Sequence, residues 1–225
     1  MIRIVSYNIH SGRDLFWRKR LTQMAETLHD IQADVICLQE VHQNSKFGNQ
    51  ADYLAHELQY AMDFSPTISL GGGAYGNALL TRHPIVHTRT LSLPAKREKR
   101  SLQEVALQWQ EMTILVGNTH CSLSARIRHG QLQLLHEWAE QGKKSPLLLL
   151  GDFNSPVVTV SPLLTDCALE QGKEKQPTLP SFRRRLDYIF ASPHWKVLGY
   201  QVVRVPWSDH LPIIAELELR QPPAP

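Results

Sequence analysis

Residues 147–156 read LLLLGDFNSP and carry the strongest structural signal in the chain. Four consecutive leucines predict a strand that is buried on both faces, as happens when a sheet is covered by other layers. Gly151 ends this apolar run, and Asp152 and Asn154 follow it directly. A carboxylate and an amide at the end of so apolar a strand indicate a polar site at one edge of a sheet.

Other short runs rich in Val, Ile and Leu recur along the chain, and these strand patterns outnumber helical ones about two to one. Helical patterns cover about 21–31, 50–58 and 126–140. Ser161 followed by Pro162 predicts the start of one more helix, which would end near Gly172. We therefore predict an α/β fold in which two mainly antiparallel or mixed sheets pack face to face, with helices on the outside.

The composition suits one soluble domain. The chain has 225 residues and a net charge of +3, which neither requires nor excludes a nucleic-acid partner. We predict that residues 1–220 form the domain and that the tail QPPAP, residues 221–225, is disordered. Three widely spaced cysteines without a CxxC pair argue against a zinc site or a disulfide framework. With no signal-peptide or transmembrane pattern, we expect a cytoplasmic protein.

Polar residues at the end of an apolar strand occur at other predicted strands as well. Polar groups stand at or near strand ends throughout the chain, namely Asn8, Glu40, His120, Asp152 with Asn154, Asp187, and Asp209 with His210. If these ends meet at one rim, they form a pocket of carboxylates, amides and imidazoles. Desolvation of unpaired carboxylates is costly, so a cation and mutual hydrogen bonds must compensate. Oxygen donors favour Mg²⁺ or Mn²⁺, ions that commonly act on phosphate oxygens.

Each residue alone also has an ordinary structural interpretation. Asp152 could cap a turn, His120 could be a hydrogen-bonded structural histidine, and Asn8 could cap a loop. The order and combination of motifs are far more specific. SYNIH, LQE, NTH, GDFN, RLDYIF and SDHLP occur in this order between Ser6 and Leu217. Together they resemble the endonuclease/exonuclease/phosphatase superfamily, and the stretches between them resemble a compact bacterial branch of it. This resemblance implies a DNase I-like four-layer α/β sandwich.

The resemblance also implies a metal site. Glu40 of LQE would be the principal ligand of Mg²⁺ or Mn²⁺. Asn8 of SYNIH would lie beside the metal and the phosphate, and Asp209 of SDHLP would help to hold the metal.

Catalytic roles follow in the same way from the resemblance. Asp152 would orient or deprotonate the attacking water, and Asn154 would bind the water or a phosphate oxygen. His210 would bind the scissile phosphate, while Asp187 would hold its other ring nitrogen and favour its charged form. His120 would contact the phosphate or the leaving group.

Three further residues are candidates for contact with substrate phosphate. They are Arg97 and Arg100 of the REKR stretch and Asn77 of YGNALLTRHPI. For the two arginines, solvated charges on a loop are an equally good interpretation.

The function that these motifs indicate is metal-dependent hydrolysis of a phosphodiester by in-line attack of water. The substrate stays open between nucleic acid, a phospholipid headgroup and a small phosphorylated metabolite. A DNA or RNA endo- or exonuclease is the first alternative. A phospholipid phosphodiesterase would need an apolar rim, and a catalytically silent phosphate-binding protein would not need the intact catalytic set. No obligate protein partner is inferred.

Overall fold

The computed structural model describes residues 1–96 and 98–220. Arg97 and the predicted disordered tail, 221–225, lie outside the described residues. The strands are β1 (Ile2–Asn8), β2 (Val35–Asn44), β3 (Gly48–Asn49), β4 (Ala61–Leu70), β5 (Gly73–Thr81), β6 (Ile85–Leu93), β7 (Arg100–Trp109), β8 (Met112–His120), β9 (Leu147–Asp152), β10 (Thr165–Asp166), β11 (Asp187–Ala191), β12 (Trp195–Val202) and β13 (Ile213–Leu219). The helices are α1 (Leu21–Ile31), α2 (Gln50–Leu58), α3 (Ala125–Gln141) and α4 (Cys167–Glu170), with 3-10 turns at His10–Gly12 and Pro180–Phe182. None of the described helices is both long enough and apolar enough to cross a membrane.

The strands form two sheets. In the first, the order is β12-β13-β1-β2-β5-β4, with β3 added beside β2; in the second, the order is β10-β11-β9-β8-β7-β6. Most neighbouring strands are antiparallel, but β1 runs parallel to β2 and β8 runs parallel to β9. Because parallel neighbours end at the same edge, each sheet brings two strand ends together at one rim.

Alternating side chains divide the interior into three apolar layers. Between the sheets, residues such as Ile4 of β1 and Leu148 of β9 share one core. On the outer face of the first sheet, Val5 packs with residues of α1 and α2. On the outer face of the second, Leu149 packs with Trp138 of α3. The predicted four-layer α/β sandwich with two mixed sheets is therefore confirmed.

The leucine run forms β9 and is buried on both faces, as predicted. Leu148 and Leu150 face the inter-sheet core, whereas Leu147 and Leu149 face the layer that contains α3. Gly151 has a φ of +145°, and a Cβ at this position would lie 1.9 Å from the carbonyl oxygen of Thr119 in β8. No other residue type fits there, since both the backbone angle and the close approach require glycine.

The prediction that a helix begins at Ser161 is wrong. The helix in this region is α4, and the side chain of Asp166 caps it by accepting a hydrogen bond from the Ala168 amide at 3.0 Å. Ser161 does accept a bond from the amide of Leu163, at 3.1 Å, but only within a turn. A capping side chain alone does not decide between a turn and a helix, because Ser and Asp stabilise both.

Candidate active site

The second sheet places three candidate residues in one row. In the parallel pairing of β8 with β9, His120 lies opposite Asp152. In the antiparallel pairing of β9 with β11, Asp187 lies opposite Asp152 from the other side. The three polar side chains therefore stand next to one another at the rim, although they are far apart in sequence.

The first sheet contributes Asn8 and Glu40 to the same rim. The pairing of β2 with β5 shifts between Leu38 and Val41, which is a β-bulge, and Glu40 within it has a φ of +59°. Such a φ is uncommon outside glycine and is often found at functional sites. The amide Nδ2 of Asn8 donates to Glu40 Oε1 at 3.0 Å and to Asp152 Oδ2 at 3.1 Å. Asn8 thus links carboxylates that belong to different sheets.

His210 and Asp187 form a buried pair. The ring atom Nδ1 of His210 lies 2.8 Å from Asp187 Oδ2, and both side chains are buried. Burial alone would lower the pKa of His210, but the carboxylates of Asp187 and Asp152 outweigh it and raise this pKa to about 10. The imidazole is therefore positively charged at neutral pH. Its other nitrogen, Nε2, lies 3.7 Å from Asp152 Oδ2.

Asp152 is at the centre of these contacts. Its Oδ1 accepts a hydrogen bond from the amide of Asn154 at 2.8 Å, and its Oδ2 lies near Asn8 and both histidines. Burial raises the pKa of Asp152 well above that of an ordinary aspartate, against the lowering effect of charged His210. A carboxylate with a raised pKa is a better proton acceptor than a solvated one.

His120 has the opposite electrostatic environment. Its Nδ1 lies 2.9 Å from Nη1 of Arg100, a permanently charged donor, so Nδ1 is the acceptor. Burial, then the charge of Arg100, lowers the pKa of His120 well below its ordinary value. The Nε2 of this neutral ring lies 3.5 Å from Asp152 Oδ2 and 3.1 Å from the Nδ2 of Asn154.

The remaining candidates occupy the edge of the site or lie outside it. Asp209 is partly exposed, with its Oδ1 3.7 Å from His10 Nδ1, and its neighbour Ser208 donates to the carbonyl of Asn8 at 2.8 Å. Asn77 is buried in β5, opposite the bulge that contains Glu40. Arg100 is buried against His120 and is therefore not a solvated loop charge. Arg97 lies outside the described residues.

The donor set fits a hard divalent cation. Glu40 and Asp209 bring carboxylate oxygens to the partly exposed edge of the site. Deeper inside, a carboxylate oxygen of Asp152, one of Asp187 and a ring nitrogen of His210 lie within 4.8 Å of one another, and of these three the two carboxylates are the available ligands, since His210 is charged. Asp187 Oδ1 is buried and lacks a hydrogen-bond partner among the described residues. Such a concentration of carboxylates is consistent with the presence of a cation that compensates their charge.

Sequence reasoning missed a buried polar network behind the site. Asn118 is fully buried, and its Nδ2 lies within 3.1 Å of the carbonyl oxygens of Leu38 and Ala78 and of Gln103 Oε1. Its Oδ1 accepts a bond from Gln39 at 2.8 Å. These bonds join the second sheet to the backbone next to the bulge of Glu40. The sequence does contain a signal for this network. Because side chains alternate along a strand, Asn118 points to the same side of β8 as Ile114 and Val116, which belong to the inter-sheet core.

Comparison with known proteins identifies the family of this chain. The family model described as "Endonuclease/Exonuclease/phosphatase family" matches residues 5–210, which contain every rim residue described above. The chain belongs to the endonuclease/exonuclease/phosphatase family. Members of this family are mostly hydrolases of phosphoester bonds and generally use divalent metals.

Similar proteins match this chain over most of its length. It is 26% identical to the uncharacterised protein YbhP of Escherichia coli (strain K12), with 96% of each chain covered. The catalytic domain of human nocturnin, solved with a bound sulfate anion, has 26% identity and a TM-score of 0.77, covering 97% of this chain and 93% of that one. A family member from Beutenbergia cavernae shares the fold, with a TM-score of 0.82 at 23% identity, covering 97% and 71% of the two chains.

Proposed function

We propose that the protein hydrolyses a phosphodiester by in-line attack of water, assisted by a divalent metal. The observation that carries this proposal is the arrangement of Asp152 and His210, a carboxylate of raised pKa beside an imidazole that Asp187 keeps charged. Hydrolysis needs both a proton acceptor for water and positive charge for the phosphoryl oxygens. Binding of a phosphate without hydrolysis would need only the positive charge.

Asp152 is the proposed general base. Its Oδ2 is the atom around which Asn8, His120 and His210 converge, so a water bound there meets an oriented acceptor. Asn154 follows in the same loop and binds the water or a phosphate oxygen in this proposal. General base catalysis of this kind contributes about 10²–10⁴-fold to a rate.

Positive charge comes from two sides of the site. Charged His210 binds the scissile phosphate through Nε2, because its Nδ1 is held by Asp187. On the other side, neutral His120 contacts the phosphate or the leaving group through Nε2, while Arg100 holds its Nδ1 and adds a fixed charge behind it. Asn77, beside the Glu40 bulge, remains a candidate for a phosphate contact.

Glu40, with Asn8 and Asp209, would hold Mg²⁺ or Mn²⁺ at the open edge of the site. When bound, such an ion neutralises charge on the phosphoryl oxygens. The amide of Asn8 donates to Glu40, which fixes the orientation of that carboxylate.

The test is hydrolysis of a soluble chromogenic phosphodiester with Mg²⁺, with Mn²⁺ and after exhaustive chelation. We expect turnover with at least one ion and none above background after chelation, restored when the ion is added back. The D152N variant, assayed with the ion present, is the matched control because it keeps Glu40, Asn8 and Asp209 but removes the base. Full activity of the chelated protein, or of D152N, would contradict the proposal.

A nuclease activity is the second candidate. A zebrafish TDP2 structure complexed with a single-strand DNA product has the same fold, with a TM-score of 0.79 at 15% identity, covering 96% of this chain. DNA is a phosphodiester, so the same side chains would serve. Cleavage of an oligonucleotide, accompanied by binding that weakens steeply with salt, would support this candidate.

We also propose the cytoplasm as its compartment. Cys37, Cys121 and Cys167 are all free and buried, and free thiols persist most readily in a reducing environment.

A further inference from the structure

Exposed apolar side chains gather around the candidate active site. Among the described residues, twelve large hydrophobic side chains are exposed, and six of them lie on four loops that adjoin the catalytic strand ends. These loops follow Asn8, His120 and Asp152 or precede Asp187, and the six residues are Leu15, Phe16, Trp17, Leu123, Val157 and Phe182. Single exposed apolar residues need no explanation, but a concentration at one end of a protein marks a contact surface.

Two of these loops line a groove that also includes Asp209 of the candidate site. The groove has a volume of about 780 Å³, and its lining includes Leu15 and Phe16 of the first loop and Pro180 and Ser181 of the loop before Asp187. Ser208 and Asp209 line it as well, so the groove reaches one of the three proposed metal ligands. An apolar group attached to a phosphodiester in the site would therefore have a place to lie.

Basic residues flank the apolar ones on the same loops. Arg18 and Lys19 follow Trp17, Arg183 and Arg184 follow Phe182, and all four are exposed. Asp14, the acidic residue of the first loop, is buried and paired with Arg18 and Arg20, so its charge does not face outward. Apolar tips with basic flanks are the pattern of a protein surface that rests on anionic lipid.

The chemistry of these tips favours lipid over nucleic acid. Leu15, Leu123 and Val157 have no ring on which a base could stack, whereas insertion between lipid headgroups requires only apolar surface. The two aromatic rings of the first loop are already in contact with cations: Arg18 lies over Phe16 and Arg13 over Trp17, at 5.0 and 5.7 Å from the ring centroids.

We propose that the rim formed by Leu15, Phe16, Trp17, Leu123, Val157 and Phe182, called here the apolar rim, docks on an anionic lipid surface. The substrate is then the phosphodiester of a phospholipid headgroup, with the apolar part of the lipid in the groove. This inference rests on the proposed function and names its substrate class.

The test is cosedimentation with vesicles of phosphatidylcholine, with and without phosphatidylglycerol, in the presence of a chelator so that binding is separated from turnover. We expect binding to the vesicles that contain phosphatidylglycerol. The variant L15S/F16S/F182S should bind them at least about tenfold more weakly, because each change removes an apolar insertion. The matched control is L70S/V86S/L198S, which removes three exposed apolar residues from β4, β6 and β12, and it should bind like the wild type.

Substrate assays separate failure of this inference from failure of the proposed function. With Mg²⁺ or Mn²⁺ present, we expect the rim variant to lose hydrolysis of vesicle phospholipid relative to a soluble diester. If the soluble diester is hydrolysed but no vesicle is bound, the proposal of docking on a lipid surface is contradicted, whereas the proposed phosphodiesterase activity is not. Binding of a single-stranded oligonucleotide in place of vesicles, weakened by the same three substitutions, would likewise contradict docking on a lipid surface. Vesicle binding without hydrolysis of any diester would overturn the proposed function instead, and with it the assignment of substrate.

Discussion

The two halves of the site contain the same residue type at the same depth but in opposite charge states. His120 and His210 are each 6% exposed. Arg100 contacts His120, and the pKa of His120 is lowered. Asp187 contacts His210, and the pKa of His210 is raised. Burial acts in the same direction on both rings, so the neighbouring charge decides the difference.

This difference assigns distinct tasks to the two rings. The charged ring of His210 can stabilise negative charge, whereas the neutral ring of His120 can donate a hydrogen bond through Nε2 without adding a charge of its own. Asp152 lies between them, within 3.5 Å of His120 Nε2 and 3.7 Å of His210 Nε2. A symmetric pair of charged imidazoles would have neutralised the proposed base.

The most direct test of this difference is to replace each of the two histidines with alanine in turn. We expect H210A to lower kcat for a soluble diester by about 10²–10³-fold, the usual cost of removing electrostatic stabilisation of a transition state. H120A should cost less, since it removes a neutral contact. Steady-state kinetics with Mg²⁺ provide the measurement, and circular dichroism verifies the fold. Equal losses in the two variants would contradict the division of tasks.

A milder change removes the larger of the two carboxylate effects that keep His210 charged, and leaves the ring in place. The wild type should keep its activity up to about pH 10, where the raised pKa of His210 lies, and lose it above. In D187N the carboxylate that raises this pKa is gone, so the alkaline limb of the pH–kcat profile should move to lower pH. The matched control is D166N, which loses a partly buried carboxylate paired with Arg185 but touches neither histidine. An unmoved limb in D187N would show that Asp187 does not set the charge.

The smallest expected effect concerns the other ring. R100Q removes the cation from Nδ1 of His120 and should lower kcat about tenfold, the size of one charge-assisted hydrogen bond. R89Q is the control, because Arg89 is an arginine of the same sheet that pairs with Glu104 instead. If R100Q and R89Q behave alike, Arg100 is a structural residue only.

Much of this arrangement could be predicted because it depends on strand ends. Apolar runs that stop at Asn8, His120 and Asp152 predict a shared rim, and parallel pairing of the strands places them there. The four-layer fold followed from the same runs together with the family motifs. Strand patterns are local and repeated, so they are readable without coordinates.

What could not be predicted depends on pairing across the chain. The contact of Arg100 with His120 follows from the antiparallel register of β7 and β8, which no local pattern reveals. The same holds for Asn118, whose partners Leu38 and Ala78 belong to the other sheet. The charge states of the two histidines could not be assigned without these contacts. Glu40 was found through its motif, but the bulge that turns it was not.

Position 151 carries a consequence for how such a site can change over time. The strand at this position approaches the Thr119 carbonyl too closely for any Cβ. The spacing between His120 and Asp152 therefore depends on the lack of a side chain at Gly151. Gly151 adds nothing to the chemistry, yet replacing it would push two neighbouring catalytic strands apart. Intolerance of a position to mutation is therefore no proof that its side chain takes part in a reaction.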